Sequence, residues 1–282
     1  MNGVIIVNKE KDMTSRDVVN KLCKLLGTKK IGHTGTLDPI ATGVLVCCVG
    51  NCTKLVELLT STDKEYIANI KFGVSTDTLD VTGEVICTSD ISFNESDLLN
   101  TLKKYTGKYM QEVPKYSAVS INGKRLYEYA RNNIEVELPK REVNITKLEL
   151  ISFDGANAVI RCVVSKGTYI RSLIKDICDD LNSCGTMEEL QRVKQGVFDI
   201  SESYTLDDIA NSEYKLFGLS EILSDMQTID LDEEIYNRVK NGAIIDRNFD
   251  CEMAVYKYND EVVAIYKVYD KDTTLVKPYK MF

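Results

Sequence analysis

Gly32-His33-Thr34-Gly35-Thr36-Leu37-Asp38-Pro39-Ile40-Ala41-Thr42-Gly43 runs directly into Val44-Leu45-Val46-Cys47-Cys48-Val49. The second half is a continuous apolar run, the mark of a strand covered on both faces. The first half is neither helix nor strand. Gly32, Gly35, Pro39 and Gly43 would break a helix, and small polar residues repeated this way do not build a sheet. It reads as a loop held in an unusual path, carrying the only histidine of the chain and a single carboxylate.

Outward from this loop the pattern is mixed. Val4 to Val7 reads as a first strand, and Thr14 or Ser15 can cap a helix with Val18, Val19, Leu22, Leu25 and Leu26 on one face. Thr53 to Leu59 reads as a short helix, Tyr66 to Phe72 as an alternating strand, and Thr82-Gly83 as a turn before a strand from Glu84 to Thr88. Asn94 can cap a helix over Glu95 to Tyr105, and Asn122-Gly123 is a hairpin signal. Val143 to Phe153 and Ala158 to Val164 are strands joined at Asp154-Gly155, and Tyr169 opens an amphipathic helix. Leu190 is read on a helix, and the segment after Ile200 as helical and acidic. Cys251 to Tyr256, Val262 to Tyr269 and Thr274 to Val276 alternate like the strands of a small β unit. The predicted class is α+β: a large mixed, mainly antiparallel sheet with helices around it over residues 1–229, and a small β domain over 230–282.

Composition narrows the functional classes. The 282 residues are 44% hydrophobic, enough for a sizeable core. No run approaches a membrane span, and Met1 to Asn8 lacks the layout of a secretion signal, so a cytoplasmic protein is expected. Nine cysteines without a Cys-x-x-Cys pair, and one histidine, point away from a disulfide framework and from zinc. Cys47, Cys48 and Cys52 read as small buried residues on a strand and the helix after it. The net charge of −8 is unevenly distributed. Asp199 to Ile235 holds eleven acids and one base, and without it the remainder has 32 acids against 34 bases. Basic groups at Lys29-Lys30, Lys124-Arg125, Arg131, Lys140-Arg141 and Lys166 to Arg171 leave room for phosphate binding, which depends on the local field.

Asp38 has four readings. As a metal ligand it would need further carboxylates, and Asp77 and Asp80 could join it only through folding. A phosphate-binding loop would need a Gly-Lys-Ser/Thr or Gly-x-Gly-x-x-Gly pattern, which is absent. As a helix N-cap it would leave the neighbouring glycines and histidine unexplained. As a nucleophile or base it would need a cation to stay ionised when buried, and Arg171 is a candidate.

The loop from Gly32 to Pro39, continued by Ala41-Thr42-Gly43-Val44-Leu45, resembles the catalytic loop of the bacterial tRNA pseudouridine-55 synthases, the TruB family. Asp63-Lys64-Glu65-Tyr66 and Gly73 to Gly83, with Thr76-Asp77-Thr78 and Asp80, resemble further motifs of that family. So do Pro114-x-Tyr116-Ser117-Ala118, Gly123 to Arg131, and Ser165 to Arg171. The likeness extends in unbroken order from Asn2 to Val197. It implies that a uridine of the tRNA T-loop is flipped out and converted to its C-glycoside isomer, without cofactor or metal. It further implies Asp38 as nucleophile, Arg171 as its partner and Tyr66 as the ring stacked on the base. Tyr169 and Leu190 would line the same pocket, and His33 would brace the RNA loop after flipping. Lys124, Arg125, Arg131 and Lys166 are candidates for phosphate contacts. Leu190-Gln191-Arg192 departs from the two arginines that often follow the leucine in the family. The expected partner is the T-arm of tRNA, bound by a monomer with no obligatory protein partner and no membrane. The alternatives are a guide-RNA-dependent relative and a non-catalytic tRNA-binding or folding protein.

Overall fold

The apolar run after the loop becomes a strand because it can be covered on every side. The computed structural model describes residues 1–282. In chain order its elements are β1 (Gly3–Lys9), α1 (Ser15–Leu25), β2 (Ile31–His33), β3 (Thr42–Val49), α2 (Val56–Thr60) and β4 (Lys64–Phe72). There follow β5 (Val74–Thr76), β6 (Val85–Thr88), α3 (Glu95–Tyr105), β7 (Gly107–Glu112), β8 (Ser120–Ile121), β9 (Lys124–Arg125) and α4 (Leu126–Arg131). Then come β10 (Lys140–Phe153), β11 (Asn157–Val164), α5 (Ile170–Asp180), β12 (Gly185–Gln195) and β13 (Phe198–Asp199).

A nine-stranded sheet runs in the order β1-β3-β12-β4-β11-β10-β7, with β2 beside β3 and β13 beside β12. Only β3 and β12 pair in parallel, through Gln191 with Thr42 and Arg192 with Gly43. Along β1 and β3 alternate residues enter different clusters. Val4, Ile6, Val44 and Val46 pack on one side, and Ile5, Val7, Leu45 and Cys47 pack under α1 on the other. The largest cluster, 22 residues, lies between the middle of the sheet and helices α3 and α5. The caps expected from sequence are in place. Thr14 accepts from the amide of Asp17, and Asn94 from the amides of Ser96 and Asp97.

After β13 the chain is less helical than its acidic sequence suggested. It forms only the short helices α6 (Leu206–Ala210), α7 (Leu219–Ile222) and α8 (Glu233–Val239), whose starts are held by its acids: Asp208 bonds the amide of Thr205, Glu221 that of Gly218, and Asp232 that of Ile235. A five-stranded sheet follows: β14 (Thr228–Asp230), β15 (Ile245–Asp246), β16 (Met253–Tyr258), β17 (Glu261–Tyr269) and β18 (Asp272–Met281). Val255 and Ile265 on its inner face pack with Leu55 and Leu59, and Lys280 pairs with Glu57 at 3.2 Å. Cys87 and Cys184 form one disulfide, joining β6 to the residue before β12, and the other seven cysteines are free. The spacing of the cysteines gave no sign of that pair. No helix is long and apolar enough to cross a membrane.

Candidate active site

The Gly32–Gly43 segment is immobilised from several directions. The Ser15 hydroxyl accepts from the Leu37 amide at 2.9 Å, and the Lys9 ammonium donates to the carbonyls of Met13 and Pro39 at 2.6 and 3.2 Å. From β12, Gln195 donates to Thr34, and the Arg192 guanidinium donates to the Gly35 carbonyl at 3.0 Å. Gly43 has φ +95°, and a β-carbon there would collide with the Arg192 carbonyl, so glycine is required where β3 leaves the loop against β12. The turn closes with the Ala41 amide donating to the Asp38 carbonyl at 3.0 Å.

Held this way, the Asp38 side chain meets Arg171, the second residue of α5. The two form a forked pair, Nε to Oδ2 at 2.9 Å and Nη2 to Oδ1 at 3.1 Å. The guanidinium is itself fixed, donating to the carbonyls of Thr78 and Tyr116, each at 3.0 Å. Arg171 is 6% exposed and Asp38 35%, so the arginine is buried beneath while the carboxylate keeps an open edge. That edge lines a cavity of about 540 Å³ together with Tyr66, Tyr169, Leu190 and Lys166. A larger cavity, about 880 Å³, shares Tyr116 with it but contains neither Asp38 nor Arg171.

Tyr66 lies on β4 in the buried phase Lys64, Tyr66, Ala68, Ile70. Leu190 comes from β12, a strand rather than the helix read from sequence. The segment Thr186 to Gln195 is rich in helix formers, but it is clamped between β3 and β4, and tertiary pairing overrides propensity. Lys166 sits at the cavity mouth. Lys124, Arg125 and Arg131 are exposed and outside it, with the Arg131 guanidinium 5.4 Å from the Tyr127 ring centre. His33 is also outside. It ends β2, half-buried, its Nδ1 without a partner, and burial chiefly, then Arg16 and Arg192, lowers its pKa. Asp77 and Asp80 serve the β5–β6 turn: Asp77 accepts from the Glu84 amide at 2.8 Å and Asp80 from the Thr82 amide at 3.0 Å. No group of three or more His, Cys, Asp or Glu side chains is gathered that could hold a metal ion.

Sequence reading missed three buried cations around the loop. Arg192 is 1% exposed, and it donates to the Val44 carbonyl at 2.6 Å and the Tyr66 hydroxyl at 3.4 Å. Lys64 is 7% exposed and donates to the carbonyls of Thr60 and Thr62. Lys9 is fully buried. Burial, the largest influence, pushes the ammonium groups of Lys9 and Lys64 down to about 8. A readable sign existed for Lys64, a charged residue in phase with the buried side of an alternating strand.

The sheet order, with a carboxylate loop entering β3 and an arginine opening α5, is the fold of the pseudouridine synthases. A solved H/ACA ribonucleoprotein bound to a substrate RNA containing 2′-deoxyuridine shares the fold, with a TM-score of 0.74 over 99% of this chain and 84% of that one, at 22% identity. Residues 23–170 match the TruB family pseudouridylate synthase N-terminal domain. The tRNA pseudouridine synthase B of Listeria monocytogenes serotype 4b (strain F2365) is 41% identical, the alignment covering all of this chain and 98% of the relative. That of Caldanaerobacter subterraneus subsp. tengcongensis is 38% identical over 100% and 99%. The chain belongs to the TruB family.

Proposed function

We propose that this chain isomerises a uridine of transfer RNA to pseudouridine, the uridine at position 55 in the T-loop, with Asp38 as nucleophile. The observation that carries this reading is a carboxylate gripped from below by a buried arginine fork while its free edge faces a cavity of nucleoside size. A carboxylate fixed this way needs no reorganisation when the sugar or base arrives, which is where most of the rate enhancement originates.

The remaining roles follow from position. The target uridine must leave its stack to reach Asp38, at a cost of a few kcal/mol. Tyr66 supplies a flat ring against the everted base, and Leu190 and Tyr169 close the apolar wall, so that the detached uracil can turn without losing its place to water. Lys166 at the mouth is placed for a phosphate, and Lys124, Arg125 and Arg131 extend a basic surface away from it. His33 is assigned to bracing the RNA loop. We divide the domains at residue 230, inside the first strand of the five-stranded sheet, and assign the small β domain a secondary contact with RNA.

The reading includes action by the isolated protein, as a monomer. Asp38→Asn should abolish pseudouridine formation on a bare T-arm stem-loop while RNA binding survives. Full activity of that variant would overturn the assignment of the nucleophile. A wild-type protein inactive on the unguided stem-loop would point to a guide-dependent enzyme instead.

A further inference from the structure

The cavity that holds one carboxylate is walled by more positive charge than that carboxylate needs. Arg171 pairs with Asp38, and the pair is complete. Arg192 and Lys64 line the same cavity and flank Gly35, and neither has a carboxylate within ion-pair distance. Their bonds go to neutral groups. Arg192 bonds two backbone carbonyls and the Tyr66 hydroxyl, and Lys64 bonds two carbonyls. Counting donors, a guanidinium has five N–H groups and an ammonium three. Two N–H groups of Arg192 and one of Lys64 therefore remain unused.

Buried cations without counter-charge are unfavourable, and the lowered pKa of Lys64 expresses that burden. Such an arrangement suits a site where negative charge arrives later. Two anions could reach it in a bound RNA, a backbone phosphate or the uracil ring itself. The depth favours the ring. Arg192 is almost fully buried and bonded to Tyr66, the ring against which the base is placed, whereas the exposed Lys166 occupies the mouth.

We propose that Arg192 and Lys64 form an electropositive wall that stabilises the negative charge acquired by the uracil when its glycosidic bond breaks. The inference rests on the isomerase reading above. When C1′–N1 breaks, its electron pair leaves with the ring, which then carries one negative charge. The electron-poor C1′ faces the Asp38 carboxylate. The charge is discharged when C5 uses a ring electron pair to bond C1′, C5 releases its proton and N1 takes one up. No oxidant or reductant is needed. Fixed cations beside the ring lower the energy of the charged intermediate more than that of the neutral substrate.

The test compares Arg192→Met, Lys64→Met and the charge-keeping Arg192→Lys and Lys64→Arg, on T-arm stem-loops with uridine or 5-fluorouridine at the target position. Consumption of the target nucleoside is followed in single turnover at saturating protein, with RNA affinity and thermal melting measured alongside. Fluorine makes the departing base a better anion, so it should depend less on the wall. The charge-removing variants should lose about 100-fold in rate on uridine with affinity changed less than about threefold, and the loss should be about tenfold smaller on 5-fluorouridine. Lys64→Arg should stay within about tenfold of wild type, and Arg192→Lys, which keeps the charge but not all three bonds, should lose less than Arg192→Met. Should Arg192→Met not fold, the Lys64 pair alone decides. Lost affinity with an unchanged saturating rate would assign the cations to a phosphate and overturn the proposal. An equal loss on both bases would reduce them to structural supports. A wild-type protein that forms no pseudouridine would fail the isomerase reading itself, separately from these comparisons.

Discussion

Arg171→Lys removes the fork under Asp38 while keeping the charge. Arg171 makes four bonds, two to the carboxylate and one each to the carbonyls of Thr78 and Tyr116. A lysine ammonium can reach one carboxylate oxygen but cannot serve three segments at once. Each carbonyl left without a donor costs about 1–3 kcal/mol if water does not replace the bond. The ion pair itself contributes less, about 1 kcal/mol, because Asp38 is a third exposed and partly screened. The expected loss of stability is about 2–4 kcal/mol, or about 3–7 °C in Tm for a chain of this size. The effect on rate should be larger, about 100- to 1,000-fold, since the carboxylate would no longer be held at one angle. RNA affinity should change less than about threefold, because the guanidinium lies beneath the cavity rather than at its mouth. Single-turnover pseudouridine formation, filter binding and thermal melting read the three quantities separately. Combined with Asp38→Asn, the lysine variant should add no further loss in rate, as expected for two residues acting as one unit. A rate within twofold of wild type, with the melting shift present, would refute the reasoning and leave the pair a purely structural contact.

Gly43→Ala should destabilise the protein by more than about 2 kcal/mol in urea melts, since the added methyl meets the Arg192 carbonyl and φ is +95°. Asn94→Ala should lower stability by about 1 kcal/mol without changing activity, by removing the cap of α3. Lys9 and Lys64 hold fewer protons in the folded chain than in the unfolded chain between pH 8 and the ordinary lysine range. Their burden is therefore fully present below pH 8 and is relieved as pH rises above it. Unfolding free energies from urea melts between pH 8 and 10 should rise relative to those of Lys64→Met, by at most about 1.4 kcal/mol per pH unit, and a flat difference would contradict the assignment. Binding of the T-arm should weaken steeply and linearly in log–log plots against salt, and a flat response would remove the basic surface from the RNA path.

The parts of the fold most legible in the sequence were those with local punctuation. Asn94, Asn122-Gly123 and Asp154-Gly155 each mark a cap or turn whose chemistry is complete within a few residues. Strand β12 had none. It carries helix-forming side chains, and register shifts at Met187/Glu189 and Arg192/Lys194 break the alternation that would have betrayed a strand. Its buried polar residues, Thr186, Arg192 and Gln195, make sense only opposite partners more than a hundred positions away. The same holds for the site. Asp38 and Arg171 stood out through long motifs, whereas Arg192 and Lys64 are single charges whose meaning depends on what encloses them. The segment after Ile200 reads as helical and acidic, whereas the chain forms only short helices there.

The dependence of Thr34 and Gly35 on Gln195 and Arg192 spans 161 and 157 positions. A ribosome must therefore deliver most of the large sheet before the segment bearing Asp38 can be locked into shape. Until then the nascent polypeptide carries Asp38 on an unsupported tether. The pocket is whole only with β12 seated between β3 and β4.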